Sequence, residues 1–225
     1  MTPTATKDKS TSATGGDGLV VTEERTLRAD ARRNRQRVLD AARELFGEQG
    51  AAAQMEDIAR AAKVGVGTVY RHFPTKDDLV AALADERFAR LEERARECLD
   101  LDDPWEAFCE FVRYSTEVQA DDRALSEVMG SRPEMMTGAA EGSGLWEPIT
   151  ALVERAQAAG AMRTDAGPED VPALMCAVGS VTHQENTPAA MNWRRLLEIM
   201  LDGLRQPGHS ELPPLAEGTP RPPAS

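Results

Sequence analysis

From residue 33 to residue 205 the apolar positions recur at intervals of three and four, the spacing of one face of an α-helix. A first helix is predicted from about Arg33 to Gly47, with Val38, Leu39, Ala42, Leu45 and Phe46 on one stripe and Gly50 beyond its end. A second, MEDIARAA, sets Met55, Ile58, Ala59 and Ala62 at i, i+3, i+4 and i+7. A third, VGTVYRHF, is short and stops before Pro74, whose ring cannot continue a helix. A fourth starts near Thr75, a good N-cap with Asp77 and Asp78 in the first turn, and reaches about Leu99. Further helices are predicted at 104–119, 122–129, 146–159, 168–183 and 191–205. In the last of these Trp193, Leu196, Leu197, Met200, Leu201 and Leu204 form a broad apolar face, and Val171, Leu174, Met175, Val178 and Val181 do the same in the one before. Segments 130–144 and 182–188 read as loops. No run alternates with the period of a strand, so the expected class is all-α.

Outside this helical stretch the pattern fades. Residues 1–22 are rich in Thr, Ser, Gly and Asp, and residues 206–225 are rich in Pro, so both are expected to be disordered tails. Composition agrees with a helical globular chain: 41% hydrophobic, 28% charged and only 4% aromatic. The net charge of −12 is unevenly spread. Residues 1–22 sum to zero, residues 23–82 carry 11 basic against 10 acidic side chains, and residues 83–225 carry 13 Arg against 26 acids, a balance of −13. No lysine follows Lys76, while Arg25, Arg28, Arg32, Arg33, Arg35 and Arg37 form a basic run. Such asymmetry suggests one part that meets a polyanion and another that does not. Cys98, Cys109 and Cys176 lie far apart, so buried thiols are expected, and no metal site or cofactor. No apolar run is long enough for a membrane span, and residues 1–18 lack the apolar core of a secretion signal, so a cytoplasmic protein is expected.

The segment VGVGTVYRHFPTK, residues 64–76, holds the most chemistry. A phosphate loop would need a strand before its glycines and a complete glycine pattern; here a helix precedes them and Tyr70 replaces the third glycine. Two short helices joined by a tight turn at Val64–Gly65 instead form a helix-turn-helix, whose second helix enters the major groove. Gly67 leaves part of that helix bare, and Thr68, Tyr70, Arg71 and His72 supply hydroxyls, an aromatic edge and charge. Lys76, with the N–H groups opening the next helix, can grip a phosphate. Val69 and Phe73 are expected in the core. Arg71 has two alternatives, DNA or an ion pair with Asp77. An enzyme is not expected: His72, His183 and His209 stand in no catalytic spacing, and the acid pairs Asp102–Asp103 and Asp121–Asp122 sit at helix starts.

The run IARAAKVGVGTVYRHFPTKDDLVAAL, with NRQRVLDAARELFGEQG before it, resembles the signature of the TetR family of bacterial transcriptional regulators over residues 32–91. The resemblance implies a three-helix DNA-binding domain in which Val66, Gly67, Thr68, Tyr70 and His72 face the groove or its backbone, with Lys76 on phosphate. Two positions depart from the family pattern: Lys63 stands where a Gly is usual at the end of the second helix, and Gln54 where a Thr or Ser cap is common.

Residues 92–205 are expected to form a helical domain for dimerisation and effector binding. Val171, Leu174, Val178, Trp193, Leu196, Leu197, Met200, Leu201 and Leu204 are the candidate seam of a homodimeric four-helix bundle. Trp105, Phe108, Cys109, Met129, Trp146 and Met175 are candidate pocket residues, because Met and Trp adapt to varied apolar ligands. The acidity of this half points to an effector that is neutral or cationic rather than strongly anionic. The expected activity is repression from a palindromic double-stranded DNA operator; the alternative is an interaction module that keeps the fold and has lost DNA binding.

Overall fold

The computed structural model describes residues 17–122, 126, 128, 142–182, 192–207 and 210–214, with side chains from residue 28 onward. Among these, the secondary structure is helical apart from an isolated antiparallel bridge between Met162 and Arg205. The helices are α1 (Asp17–Gln49), α2 (Met55–Ala61), α3 (Val66–His72), α4 (Lys76–Leu99), α5 (Pro104–Asp121), α6 (Trp146–Ala158), α7 (Asp170–Thr182) and α8 (Trp193–Gly203), with a 3-10 turn at Gly50–Ala52. The all-α expectation holds. The two expected tails, the helix at 122–129 and the loops at 130–144 and 182–188 lie largely outside the described residues, as does Met129.

α1 begins at Asp17, well ahead of the Arg33 expected from the apolar stripe, so residues 17–22 are helical rather than disordered. Glu23, Glu24, Arg25, Leu27, Arg28 and Ala29 in this stretch have good helix propensity. α4 starts where the cap residue predicts. The Asp78 amide donates to Thr75 Oγ1 at 3.1 Å and the Thr75 amide donates to Asp78 Oδ2 at 2.9 Å, so each residue satisfies the other's exposed amide. Asp103 caps α5 in a related way, accepting from the amides of Trp105 and Glu106, with Pro104 in the first turn where its missing N–H costs nothing.

The core is continuous through the molecule. In the N-terminal part Val38, Leu39 and Phe46 of α1 meet Ile58, Val69, Phe73, Leu79 and Leu83. In the C-terminal part Leu91, Phe108, Phe111, Ile149, Leu152, Val178 and Leu201 continue it. α4 supplies side chains to both, and at 24 residues it is about 36 Å long.

The faces expected to form a dimer seam are divided by the fold. Val171, Leu174, Val178, Leu197 and Leu201 are buried in the chain's own core. α7 and α8 pack against each other and α7 against α5, and that packing consumes the inner half of each apolar face. Trp193, Leu196, Met200 and Leu204 are half-buried, and Ile199, not singled out from sequence, is 58% exposed.

Candidate nucleic-acid interface

α2 begins without a side-chain cap, as Gln54 led one to expect: its amide donates back to the Ala52 carbonyl at 2.7 Å instead. The turn after α2 closes through bonds from the Lys63 amide to the Arg60 carbonyl and from the Val64 amide to the Ala59 carbonyl. Lys63 itself adopts φ +56°, the left-handed region where glycine is unstrained. A residue with a Cβ there costs about 1–2 kcal/mol, which accounts for the family's usual glycine. Arg37 of α1 donates to the Lys63 carbonyl at 3.2 Å and holds the turn from the other side.

α3 is anchored by the two residues expected in the core, Val69 within it and Phe73 at its end. The opposite face is open. Val66 and Tyr70 are each 41% exposed, Gly67 and Arg71 are exposed, and Thr68 and His72 are half-buried. A Cβ at Gly67 would meet nothing within 4 Å, so internal packing does not require a glycine at this position. Arg71 makes no ion pair with Asp77 among the described residues.

Tyr70 is tethered. Its hydroxyl donates to Glu56 of α2 at 3.2 Å, and that hydrogen bond, with the carboxylate's charge, pushes the phenol above its ordinary pKa. The pair fixes the ring on the exposed face across the two helices. Sequence spacing gave no sign of Glu56, because the two residues lie 14 apart and meet only through the turn.

Lys76 is used differently from the expectation. Its ammonium donates to the carbonyls of Ala51 and Ala53 at 2.6 and 2.7 Å and stands 5.5 Å from the Phe46 ring centroid. The backbone between α1 and α2 leaves carbonyls without helical partners, and a cation from the start of α4 satisfies them. The residue expected on phosphate thus braces the domain from within.

In the second half, Trp105, Phe108, Cys109 and Trp146 are buried and Met175 is half-buried. Burial pushes the Cys109 thiol up to about 12, as suits an inert core thiol. A cavity of about 370 Å³ lies elsewhere, against α4, lined by Asp85, Phe88, Ala89, Glu92 and Gly142–Gly144. None of the six candidate pocket residues lines it. No helix among the described residues is long and apolar enough to cross a membrane.

Comparison with known proteins agrees with this geometry. The family profile for bacterial regulatory proteins of the tetR family matches residues 38–83, and that for the SbtR-like transcriptional regulator C-terminal domain matches residues 103–206. A TetR transcription regulatory protein from Mycobacterium vanbaalenii is 36% identical, with 80% of this chain and 99% of that chain covered and a TM-score of 0.57. A TetR regulator from Streptomyces coelicolor is 30% identical, covering 76% and 98%, at a TM-score of 0.53. FadR from Thermus thermophilus, a TetR-family repressor solved with lauroyl-CoA, is 25% identical, covering 82% and 99%, at 0.57. HTH-type transcriptional regulators of Staphylococcus aureus are 46% identical over 54 residues, a match that spans 24% of this chain and 29% of theirs.

Proposed function

This chain belongs to the TetR family of bacterial transcriptional regulators, and from that premise we propose that it acts as a homodimeric repressor released from a palindromic operator by a small molecule. It is a DNA-binding regulator and not an enzyme. The observation that carries the proposal is the outward face of α3, where Val66, Tyr70 and Arg71 are exposed around the bare Gly67 while Val69 and Phe73 hold the helix from behind. Val66, Gly67, Thr68, Tyr70, Arg71 and His72 meet the groove or its edges; Lys76 supports them by bracing the domain.

One helix-turn-helix touches few base pairs, and two must be spaced by about 34–36 Å to engage successive turns of one DNA face. The exposed Ile199, with Leu196 and Met200 beside it on α8 and Ala173 and Ala177 on α7, supports a seam between two chains. In this arrangement the buried residues Val171, Leu174, Val178, Leu197 and Leu201 stiffen the seam from behind. An effector in the helical half would shift that spacing. Asp85 lines the described cavity without a basic residue in its lining, and supports a neutral or cationic effector; Glu92 beside it is paired with Arg96. The lauroyl-CoA of the Thermus relative supports the narrower idea that such a domain can admit an apolar tail.

The test is fluorescence anisotropy on a duplex selected from a random pool by the wild-type protein, read at two salt concentrations. Wild type is expected to bind with steep salt dependence. Tyr70→Ala should lose about 1–3 kcal/mol of affinity while keeping the wild-type thermal midpoint. Unchanged affinity in that variant would remove α3 from the interface.

A further inference from the structure

We infer that the segment of α1 over residues 28–37 is a second DNA-contacting element, an arginine rod that holds the phosphate backbone flanking the bases read by α3. The inference rests on the DNA-binding reading above and extends it to a surface outside the helix-turn-helix.

Among the residues of α1 whose side chains are described, from Arg28 onward, the first buried one is Val38. Residues 28–37 precede it as continuous helix, a length of about 15 Å, and none of them is buried. A helix that is polar on every side gains nothing from packing and calls for another reason to persist. This one carries Arg28, Arg32, Arg33, Arg35 and Arg37 against the single acid Asp30, which pairs with Arg33.

Two of the arginines fix where the rod lies. Arg35 sits with its guanidinium 5.3 Å from the centroid of Phe73, the residue that ends α3. Arg37 donates to the carbonyl of Lys63, in the turn that precedes α3. The rod is therefore fastened near both ends of the recognition helix. Arg28 and Arg32 fall on the same stripe as Arg35, at spacings of four and three, and both are exposed. Arg32 makes no hydrogen bond or ion pair among the described residues. The stripe thus runs outward from the C-terminal end of α3, where Arg35 meets Phe73. A membrane surface would require an apolar face on the same helix, and residues 28–37 have only Ala29 and Ala31 to offer. Double-stranded DNA is the partner that matches both the charge and the continuity with α3.

The experiment uses the full chain and two forms of the selected duplex, one trimmed to its footprint and one lengthened by about ten base pairs on each side. Wild type is expected to bind the longer form more tightly and with a steeper dependence on salt. In Arg28→Gln/Arg32→Gln the log–log salt slope on the longer form should fall by about 2 per bound chain, and the advantage over the trimmed form should vanish. Arg28→Lys/Arg32→Lys should retain it, because phosphate accepts either cation. A glutamine variant with wild-type affinity and slope on the longer duplex overturns the inference and leaves the role of α3 standing. A wild-type protein that selects no duplex overturns both.

Discussion

Lys76 shows how the role of one side chain follows from the nearest unsatisfied groups. Its ammonium bonds the Ala51 and Ala53 carbonyls, and Ala53 is fully buried. Lys76→Met keeps an unbranched side chain but removes the ammonium from the Phe46 ring and from two carbonyls, a loss of about 1–3 kcal/mol. Urea unfolding should show that loss; wild-type stability combined with a shallower salt slope on DNA would restore the phosphate role expected from the sequence. Both parts of this position were legible to different degrees. That a cation belongs at the start of α4 could be read from the sequence, but its partners lie 23 and 25 residues away and are backbone atoms without any side-chain signature. Tyr70 and Glu56 repeat the lesson, since the exposed ring was predictable and its tether was not.

At the scale of elements, a buried stripe bounds a helix nearly to the residue, as α2, α3 and α4 show, and in α4 a cap sharpens the start. α1 starts earlier than its apolar stripe predicts, because the sequence ahead of Arg33 shows no regular apolar stripe to count. The seam helices α7 and α8 were read as helices correctly, yet a periodicity cannot say which half of a wide apolar face turns inward. That division depends on neighbours. α8 is also fastened to α5 by charge: Arg113 donates to both carboxylate oxygens of Glu198, at 2.8 and 3.0 Å. The hydrogen bond from Arg113 holds the Glu198 pKa below its ordinary value, against the opposing effect of burial. A carboxylate depressed in the folded state stabilises fully above its unfolded pKa, about 4.3, and that contribution fades as pH falls through the folded value. The thermal midpoint of Arg113→Met should therefore lie below wild type at pH 7, with the gap narrowing toward pH 3. A gap independent of pH would mean that the loss is one of packing alone.

Across the whole molecule α4 supplies both parts of the continuous core, with Leu79 and Leu83 in the N-terminal part and Leu91 and Ala95 in the C-terminal part. Neither half can melt while leaving that helix fully packed, so calorimetry should give a single cooperative transition whose van't Hoff and calorimetric enthalpies agree per cooperative unit. Two resolved transitions would show that α4 breaks between its halves. The uneven placement of amines has a consequence of another kind. The chain's lysines are Lys7, Lys9, Lys63 and Lys76, and of these Lys63 is exposed at the turn before α3 while Lys76 is turned inward. Among the described residues, acylation of lysine, whether by a cell's own chemistry or by a laboratory reagent, therefore falls within the helix-turn-helix domain. Through residues 83–225 the protein offers such reagents no side-chain amine at all.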